Sequence, residues 1–240
     1  MSNTNAAKLA PVAGMSGVAD SAMGSGQTPS ANFLHLYTEA ARLAFADRVQ
    51  YLGDPDFVQP PGSLSMKTAK PGVPGPIKTA YAPMPNQPEY GTSHISIIDG
   101  YGNAVAMTTT IEDAFGSRLL TNGGTGKAGD FLLNNELTDF SFAPTDAEGK
   151  PVANRVEPGK RPRSSMAPTL VFDKATNEVV MSGGSPGGAL IIHYTAKILY
   201  GTLNWGLNAQ QAIDLPNFGA TGQVWHCGMV VYVKIIKNTR

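Results

Sequence analysis

An α+β fold with a mainly antiparallel sheet is what this sequence predicts, on three observations. A helical run opens the patterned part of the chain, two strand–turn–strand runs follow, and two helical segments come after the second pair. In chain order, residues 1–29 are Ala, Gly, Ser, Asn and Met with little periodicity, and the stretch from Gly24 to Pro29 reads as a flexible entry. From Ser30 the pattern changes. Phe33, Leu34, Leu36, Tyr37, Ala40, Leu43 and Ala44 recur at helical spacing, Ser30 can cap, and Gly53-Asp54-Pro55 stops the run. Between residues 58 and 88, Pro60, Pro61, Pro71, Pro74, Pro76, Pro83, Pro85 and Pro88 rule out a helix or strand interior, leaving an extended linker or a surface-hugging segment.

After the prolines the character becomes β. Ser93–Ile98, the turn residues Asp99–Asn103 and Ala104–Ile111 form one hairpin; Thr169–Phe172, the turn Asp173–Asn177 and Glu178–Met181 form a second. Gly-rich loops and the apolar run Phe131–Asn135 lie between them. Ala189–Leu203, following Gly187 and Gly188, predicts a buried helix, and Ala209–Leu215 a shorter one before Pro216.

Composition narrows the function classes. The 240 residues, 42% hydrophobic, suffice for a buried core. Eighteen Lys plus Arg against eighteen Asp plus Glu leave no electrostatic case for nucleic acid or an anionic membrane face, so a small partner is expected. One cysteine, Cys227, excludes an internal disulfide framework and leaves the compartment open. No apolar run approaches the ~20 residues that span a bilayer, and the first residues lack the pattern of a signal peptide.

Two motifs tempt and fail. Gly124 to Gly129 matches the dinucleotide pattern G-x-G-x-x-G, but no strand precedes it and no helix opens at it, so a loop is the reading. Gly183 to Gly187 matches the nucleophile elbow G-x-S-x-G with Asp214 and His226 following in hydrolase order. That architecture takes an oxyanion donor from the N–H after the serine, and here that residue is Pro186, which has none. The glycines still offer backbone N–H groups at a helix start, a usable oxyanion hole. His35, His94, His193 and His226 show no metal-ligand spacing, so neither a metal nor a cofactor is expected, and His94 reads as a packed histidine. Taken singly, Thr108–Thr110 are ordinary strand residues and Ser164-Ser165 a polar turn.

In sequence order, the pieces carry more. Gly91 to His94, Asp99 to Asn103, Thr108 to Gly116, Leu132 to Phe140, Lys160 to Pro168 and Gly184 to Gly188 together resemble the small subunit of the γ-glutamyltranspeptidases, which are N-terminal-nucleophile hydrolases. The resemblance runs from about Phe33 to Phe218; Tyr37 to Phe57 is similar to the end of that family's large subunit. It implies an incomplete four-layer αββα fold. The expected divisions are a flexible segment, 1–29; a large-subunit-like end with its Pro-rich linker, 30–91; a small-subunit-like catalytic region, 92–218; and a divergent tail, 219–240.

The implied chemistry is self-cleavage of the Gly91–Thr92 bond, which frees Thr92 to act as nucleophile through Oγ and as base through its own α-amine. A free α-amine has a pKa of roughly 7.7 to 8.0, so it can accept a hydroxyl proton near neutrality. Thr110 aligns with the threonine that positions the new amino terminus. Glu112, Glu136 and Asp139 stand where the family meets the substrate's α-amino group, and Ser164 and Ser165 where it meets the α-carboxylate. Gly187 and Gly188 would supply the oxyanion donors.

Implied partners are glutathione or another γ-glutamyl donor and a water, amino acid or peptide acceptor, with the two fragments staying associated after cleavage. The implied location is periplasmic or extracellular. Departures from the family pattern point to a truncated member: no residue matches the arginine that grips the substrate carboxylate, and Arg118, Arg161 and Arg163 are the nearest basic residues to the site motifs. The tail resembles nothing at the family's C-terminus, and its apolar run Met229–Ile236 reads as an exposed strand. Two alternatives stay open, a catalytically inactive remnant and an acylase of the same fold acting on β-lactam side-chain amides.

Overall fold

A computed structural model describes residue 29 and residues 31–59, 80–87, 91–127, 129–221 and 224–227. Residues 1–28 of the expected flexible segment, most of the Pro-rich linker and the run Met229–Ile236 lie outside the described residues. Within them the class is α+β, and every paired strand is antiparallel to its partner.

Helix α1 spans Ala31–Tyr51 and stops two residues before Gly53. Gly53 is needed there: a Cβ would stand 2.8 Å from the Ala153 carbonyl oxygen. Strands β1 (Gly91–Ile98) and β2 (Ala104–Glu112) form the first hairpin. Its turn is closed by Asp99, whose Oδ1 accepts from the N–H groups of Tyr101 (2.8 Å) and Asn103 (2.9 Å). One face of this hairpin, Ile95 opposite Met107 and Ile97 opposite Val105, remains exposed. The short strands β3 (Leu120–Thr121) and β4 (Phe131–Leu132) pair across the glycine loop, so Gly124–Gly129 opens no helix. A 3-10 turn follows at Glu136–Asp139.

Strands β5 (Thr169–Phe172) and β6 (Val179–Gly183) make the second hairpin, joined to the first where Ser182 Oγ donates to the Val105 carbonyl at 2.8 Å. Beyond a 3-10 turn at Gly188–Leu190 come α2 (Ile191–Trp205), α3 (Ala209–Asp214), β7 (Phe218–Thr221) and β8 (Val224–Cys227). Gly206, at φ +67°, ends α2 in the left-handed conformation that glycine adopts without strain. A capping box starts α3: Asn208 Oδ1 accepts from Gln211 N–H, and Gln211 Oε1 accepts from Asn208 N–H, both at 3.0 Å.

The main core joins these helices to β7. Phe33 of α1, Ile198 and Trp205 of α2, Ala212 of α3 and Phe218 of β7 bury one another, with the Phe33 ring 4.9 Å from Trp205 and 5.8 Å from Phe218. His193 links the same elements. Its Nε2–H donates to the Ala220 carbonyl (3.1 Å), and its Nδ1 is hydrogen-bonded with Tyr37 Oη (2.9 Å). Lys197 is drawn into this region as well; its Nζ donates to the carbonyls of Ile213 and Leu215, and burial lowers its pKa to about 8.

A smaller core forms beneath the end of the Pro-rich segment. That stretch is extended and lies along the surface, with Ala80, Pro83, Pro85 and Asn86 exposed and Ala82 and Met84 buried with Val152. Backbone pairing explains this, because Ala82 N–H donates to Pro151 (2.8 Å) and Met84 N–H to Val49 (2.9 Å). Three residues on, Gln87 Nε2 donates to the carbonyls of Thr138 (2.8 Å) and Phe140 (2.9 Å). The chain leading to Gly91 is thereby stitched to the turn that carries Asp139.

Candidate active site

The β1–β2 pairing is irregular where the chemistry was expected. Gly91 stands opposite Glu112 and Ser93 opposite Thr109, so two residues of β2, Thr110 and Ile111, face the single Thr92. This β-bulge adds local twist and re-aims the side chains around it. Thr110 Oγ1 donates to the Gly91 carbonyl oxygen at 2.5 Å and accepts from Glu112 N–H at 2.8 Å. The Gly91–Thr92 peptide therefore has a hydroxyl donor already seated on its carbonyl. Glu112 holds φ at +73°, an unusual conformation for a residue with a side chain, and is 5% exposed. Asn135 fixes it: Nδ2 donates to the Glu112 carboxylate, and Oδ1 accepts from Asp113 N–H at 3.0 Å.

Around this bulge lies a cleft of about 400 Å³, the solvent at its mouth included. Thr92, Thr110, Glu112, Asp139, Ser164, Ser165 and Gly188 all line it, drawn from segments that are far apart in sequence. Glu136 and Gly187 do not. Glu136 sits one turn before Asp139, and Gly187, at φ +136°, packs where a Cβ would fall 2.6 Å from the Tyr194 ring. Ser185, the serine of the rejected elbow, is 2% exposed and donates to the Pro186 carbonyl at 2.8 Å. Arg163, one of the three arginines nearest the site motifs in sequence, also lines it, as do Arg48, Met166 and Ile191, which were not anticipated as site residues.

The loop that carries Ser164 and Ser165 is tied down at both ends. Asp54 accepts from Arg161 N–H (2.8 Å), Nε (3.0 Å) and Nη2 (2.8 Å). Arg161's side chain and then its backbone N–H hold the Asp54 carboxyl well below the usual carboxylate range. Two residues on, buried Asn154 uses both ends of one amide: Oδ1 accepts from Arg163 N–H (2.9 Å) and Nδ2 donates to the Asp139 carbonyl (2.7 Å). One side chain thus sets the spacing between the acidic and basic walls of the cleft. Ser165 Oγ accepts from Arg48 Nη2 at 2.5 Å, which connects the loop to α1.

His94 couples the Thr92 strand to the glycine loop. Its Nδ1 is 2.8 Å from Thr108 Oγ1 and its Nε2 2.9 Å from Ser96 Oγ, and burial lowers its pKa. The ring lies over Gly184, where a Cβ would come within 2.3 Å of it. Its contacts are those of a packed, hydrogen-bonded histidine. Among the described residues, no three His, Cys, Asp or Glu side chains are grouped to hold a metal ion, and no helix is long and apolar enough to cross a membrane.

The sequence model of the family described as gamma-glutamyltranspeptidase matches residues 7–233. The chain belongs to the γ-glutamyltranspeptidase family. Relatives of this γ-glutamyltranspeptidase-family chain include a glutathione hydrolase proenzyme of Pseudomonas sp. strain A14, 37% identical over 79% of this chain and 34% of that protein. Another is a glutathione hydrolase proenzyme of Escherichia coli K12, 36% identical over 79% of this chain and 34% of that protein. A solved Helicobacter pylori γ-glutamyltranspeptidase is 39% identical, covering 52% of this chain and 66% of that one, with a TM-score of 0.44. The chain spans about a third of the length of the curated relatives it matches.

Two predictions follow from the loop anchors. Asp54→Asn should lower the melting temperature at neutral pH, and the gap to the parent should close in acid. Asp54's folded pKa lies below its ordinary 3.8, so its contribution is complete above that value and is lost as pH falls through the folded one. Melting curves between neutral pH and about pH 2 check this. Asn154→Ala leaves the Asp139 carbonyl and the Arg163 N–H without that partner and should cost about 2 to 4 kcal/mol in denaturant unfolding.

Proposed function

We propose that this chain carries the catalytic half of a γ-glutamyl transfer or hydrolysis enzyme that cleaves itself before Thr92. The observation that carries the proposal is the Gly91–Thr92 peptide at the bulge, with Thr110 Oγ1 donating to its carbonyl, inside a cleft lined by acids and hydroxyls. In the self-cleavage step Thr92 Oγ attacks the Gly91 carbonyl carbon, and negative charge builds on the oxygen that Thr110 already binds. The C–N bond then breaks, the Oγ proton passes in net to the departing nitrogen, and an ester joins Gly91 to Thr92 Oγ. Water hydrolyses that ester, leaving a Gly91 carboxylate and a free Thr92 amine.

In turnover the freed amine takes the Thr92 Oγ proton and Oγ attacks the γ-carbonyl of the donor, so no histidine base is required. The leaving amine of the donor departs with a proton, and water or an amino acid or peptide amine releases the γ-glutamyl group. Gly188, with Gly187 behind it, supplies N–H donors to the tetrahedral oxyanion; such a donor is worth roughly 3 kcal/mol. Glu112 and Asp139, with Glu136 one turn away, accept from the substrate ammonium, and Ser164 and Ser165 donate to its carboxylate. This arrangement favours an α-amino acid head group over a β-lactam side-chain acid. Residues 1–91 and 92–240 stay associated after cleavage, because α1 is built into the main core with residues of α2, α3 and β7, and the strap at 80–87 into the smaller core with Val152. The relatives' names point to glutathione or a similar γ-glutamyl compound as the donor, and the family resemblance implies a periplasmic or extracellular setting.

The test pairs mass analysis of the purified chain with release of chromophore from a γ-glutamyl anilide. Cleavage before Thr92 accompanied by release supports the reading, and Ser185→Ala should leave both intact. A chain that stays whole through long incubation and releases nothing is instead the inactive remnant.

A further inference from the structure

We infer that Gln87 is a positioning residue for self-cleavage: its side-chain amide clamps the chain ahead of Gly91 to the turn that carries Asp139, and so keeps the Gly91 carbonyl in line for Thr92 Oγ. The inference rests on the self-cleavage reading and names a group that steers that step without touching the reacting atoms.

The amide is engaged at both ends. Nε2 donates to the carbonyls of Thr138 (2.8 Å) and Phe140 (2.9 Å), and Oε1 accepts from Phe142 N–H (3.1 Å). With both kinds of partner on one stretch of backbone, the side chain has a single orientation. Upstream, the strap is held through its backbone: Gln50 Nε2 donates to the Tyr81 carbonyl, Ala82 N–H to Pro151 and Met84 N–H to Val49. Pro85, next in the chain, has no N–H to continue that pairing, and Gln87 takes over with its side chain.

The turn that receives the clamp is rigid and is joined to Thr110. Phe140 is 3% exposed, Ser141 N–H donates to the Asn154 carbonyl at 2.9 Å, and Asn154 Nδ2 donates to the Asp139 carbonyl at 2.7 Å. At the other end of the turn, Asn135 N–H donates to the Ile111 carbonyl (3.2 Å) and Asn135 Oδ1 accepts from Asp113 N–H (3.0 Å). Between those two stands Glu112, whose N–H holds the Thr110 hydroxyl that sits on the Gly91 oxygen. Gln87 and Gly91 are therefore fixed to one frame, the first by its side chain and the second by its carbonyl.

Placement matters here because glycine turns freely about both of its backbone dihedrals. Gly91 is the first residue of β1, so the strand that fixes Thr92 begins there, and the direction of the chain before it has to be set from another element. Attack by Thr92 Oγ on the carbonyl carbon of the preceding residue closes a small ring and tolerates little error in that direction. No bond or proton of the step passes through Gln87. Without its amide the nearest backbone tie upstream recedes from four residues before Gly91 to seven, at Met84. The longer tether alone slows closure about twofold, and a displacement of about 1 Å costs up to about 100-fold, so a slowing of about tenfold is expected.

The test follows the first-order appearance of the 92–240 fragment in the parent, Gln87→Met and Gln87→Glu, with KM and kcat for release from a γ-glutamyl anilide measured per cleaved chain. Methionine keeps the length of the side chain without the amide, and glutamate keeps an acceptor but loses both donors. Gln87→Met should cleave about tenfold more slowly than the parent and Gln87→Glu at least as slowly. Once cleaved, Gln87→Met should match the parent in KM, kcat and melting temperature, because the clamp acts on a peptide bond that is no longer there. A merely structural tie would lower turnover and melting temperature together with the cleavage rate. Cleavage of both variants at the parent rate, or a parallel loss of cleavage and kcat, overturns this inference and leaves the self-cleavage reading intact. A parent that never cuts removes both. A parent that cuts before Thr92 but releases no chromophore removes only the transfer reading, and slowed cleavage of the variants then supports the clamp by itself.

Discussion

Thr92→Ala should leave the chain whole, with no fragments 1–91 and 92–240 at any incubation time, and should abolish release from a γ-glutamyl anilide. The effect is all-or-none because one atom serves both steps: Oγ attacks the Gly91 carbonyl in maturation and the donor carbonyl in turnover. Thr92→Ser keeps that oxygen and should cleave, more slowly, since loss of the methyl group frees χ1 and lowers the share of time spent in attack geometry. Thr92 is half-buried in the strand, so alanine there removes little packing and the variant should melt close to the parent. Mass analysis of all three chains checks the result. Fragments from the alanine variant with a new terminus at residue 92 would transfer the nucleophile to another side chain.

Local patterns made the frame legible. Helical spacing with Gly53 as its stop gave α1 to within two residues, and the runs around Asp99–Asn103 and Asp173–Asn177 gave both hairpins. Such signals are written in neighbouring residues, where capping, turn chemistry and alternation act. Ordered motifs carried most of the site: Thr92, Thr110, Glu112, Asp139, Ser164, Ser165 and Gly188 meet in one cleft. What escaped was long-range. Arg48 on a helix reads as a solvated charge until the fold brings it to Ser165, 117 residues away. Asn154 reads as one polar residue in a polar loop, yet it is fully buried and spans Asp139 and Arg163. The bulge at Thr92 was hidden for a different reason, because Thr108–Thr110 fit regular strand pairing equally well. Only the register distinguishes the two, and register depends on the pairing of whole strands. Similarly, membership of a shared motif did not distinguish Asp139 from Glu136, whereas the 3-10 turn directs only the former to the cleft.

Thr110→Val should slow self-cleavage by about two to three orders of magnitude while leaving the hairpin folded. Valine matches threonine in shape and strand preference, so the substitution removes the hydroxyl, with its bond to the Gly91 oxygen and its acceptance from Glu112 N–H, and little packing. The parent hydroxyl is seated 2.5 Å from the Gly91 oxygen and is itself held by Glu112 N–H, which leaves its proton directed at that carbonyl. Its value in the resting peptide is modest, since a neutral carbonyl is a weak acceptor. It grows as charge collects on the oxygen in the tetrahedral intermediate, and a donor that needs no reorientation then lowers the barrier by roughly 3 to 4 kcal/mol. Thr110→Ser restores the donor without the methyl group and should recover most of the rate, which separates hydrogen bonding from packing. The measurement is the first-order appearance of the 92–240 fragment, independent of protein concentration because the reaction is within one chain. If the valine chain cleaved at the parent rate, the bond to Gly91 would be structural, and the oxyanion of maturation would have to be stabilised by another donor in the cleft.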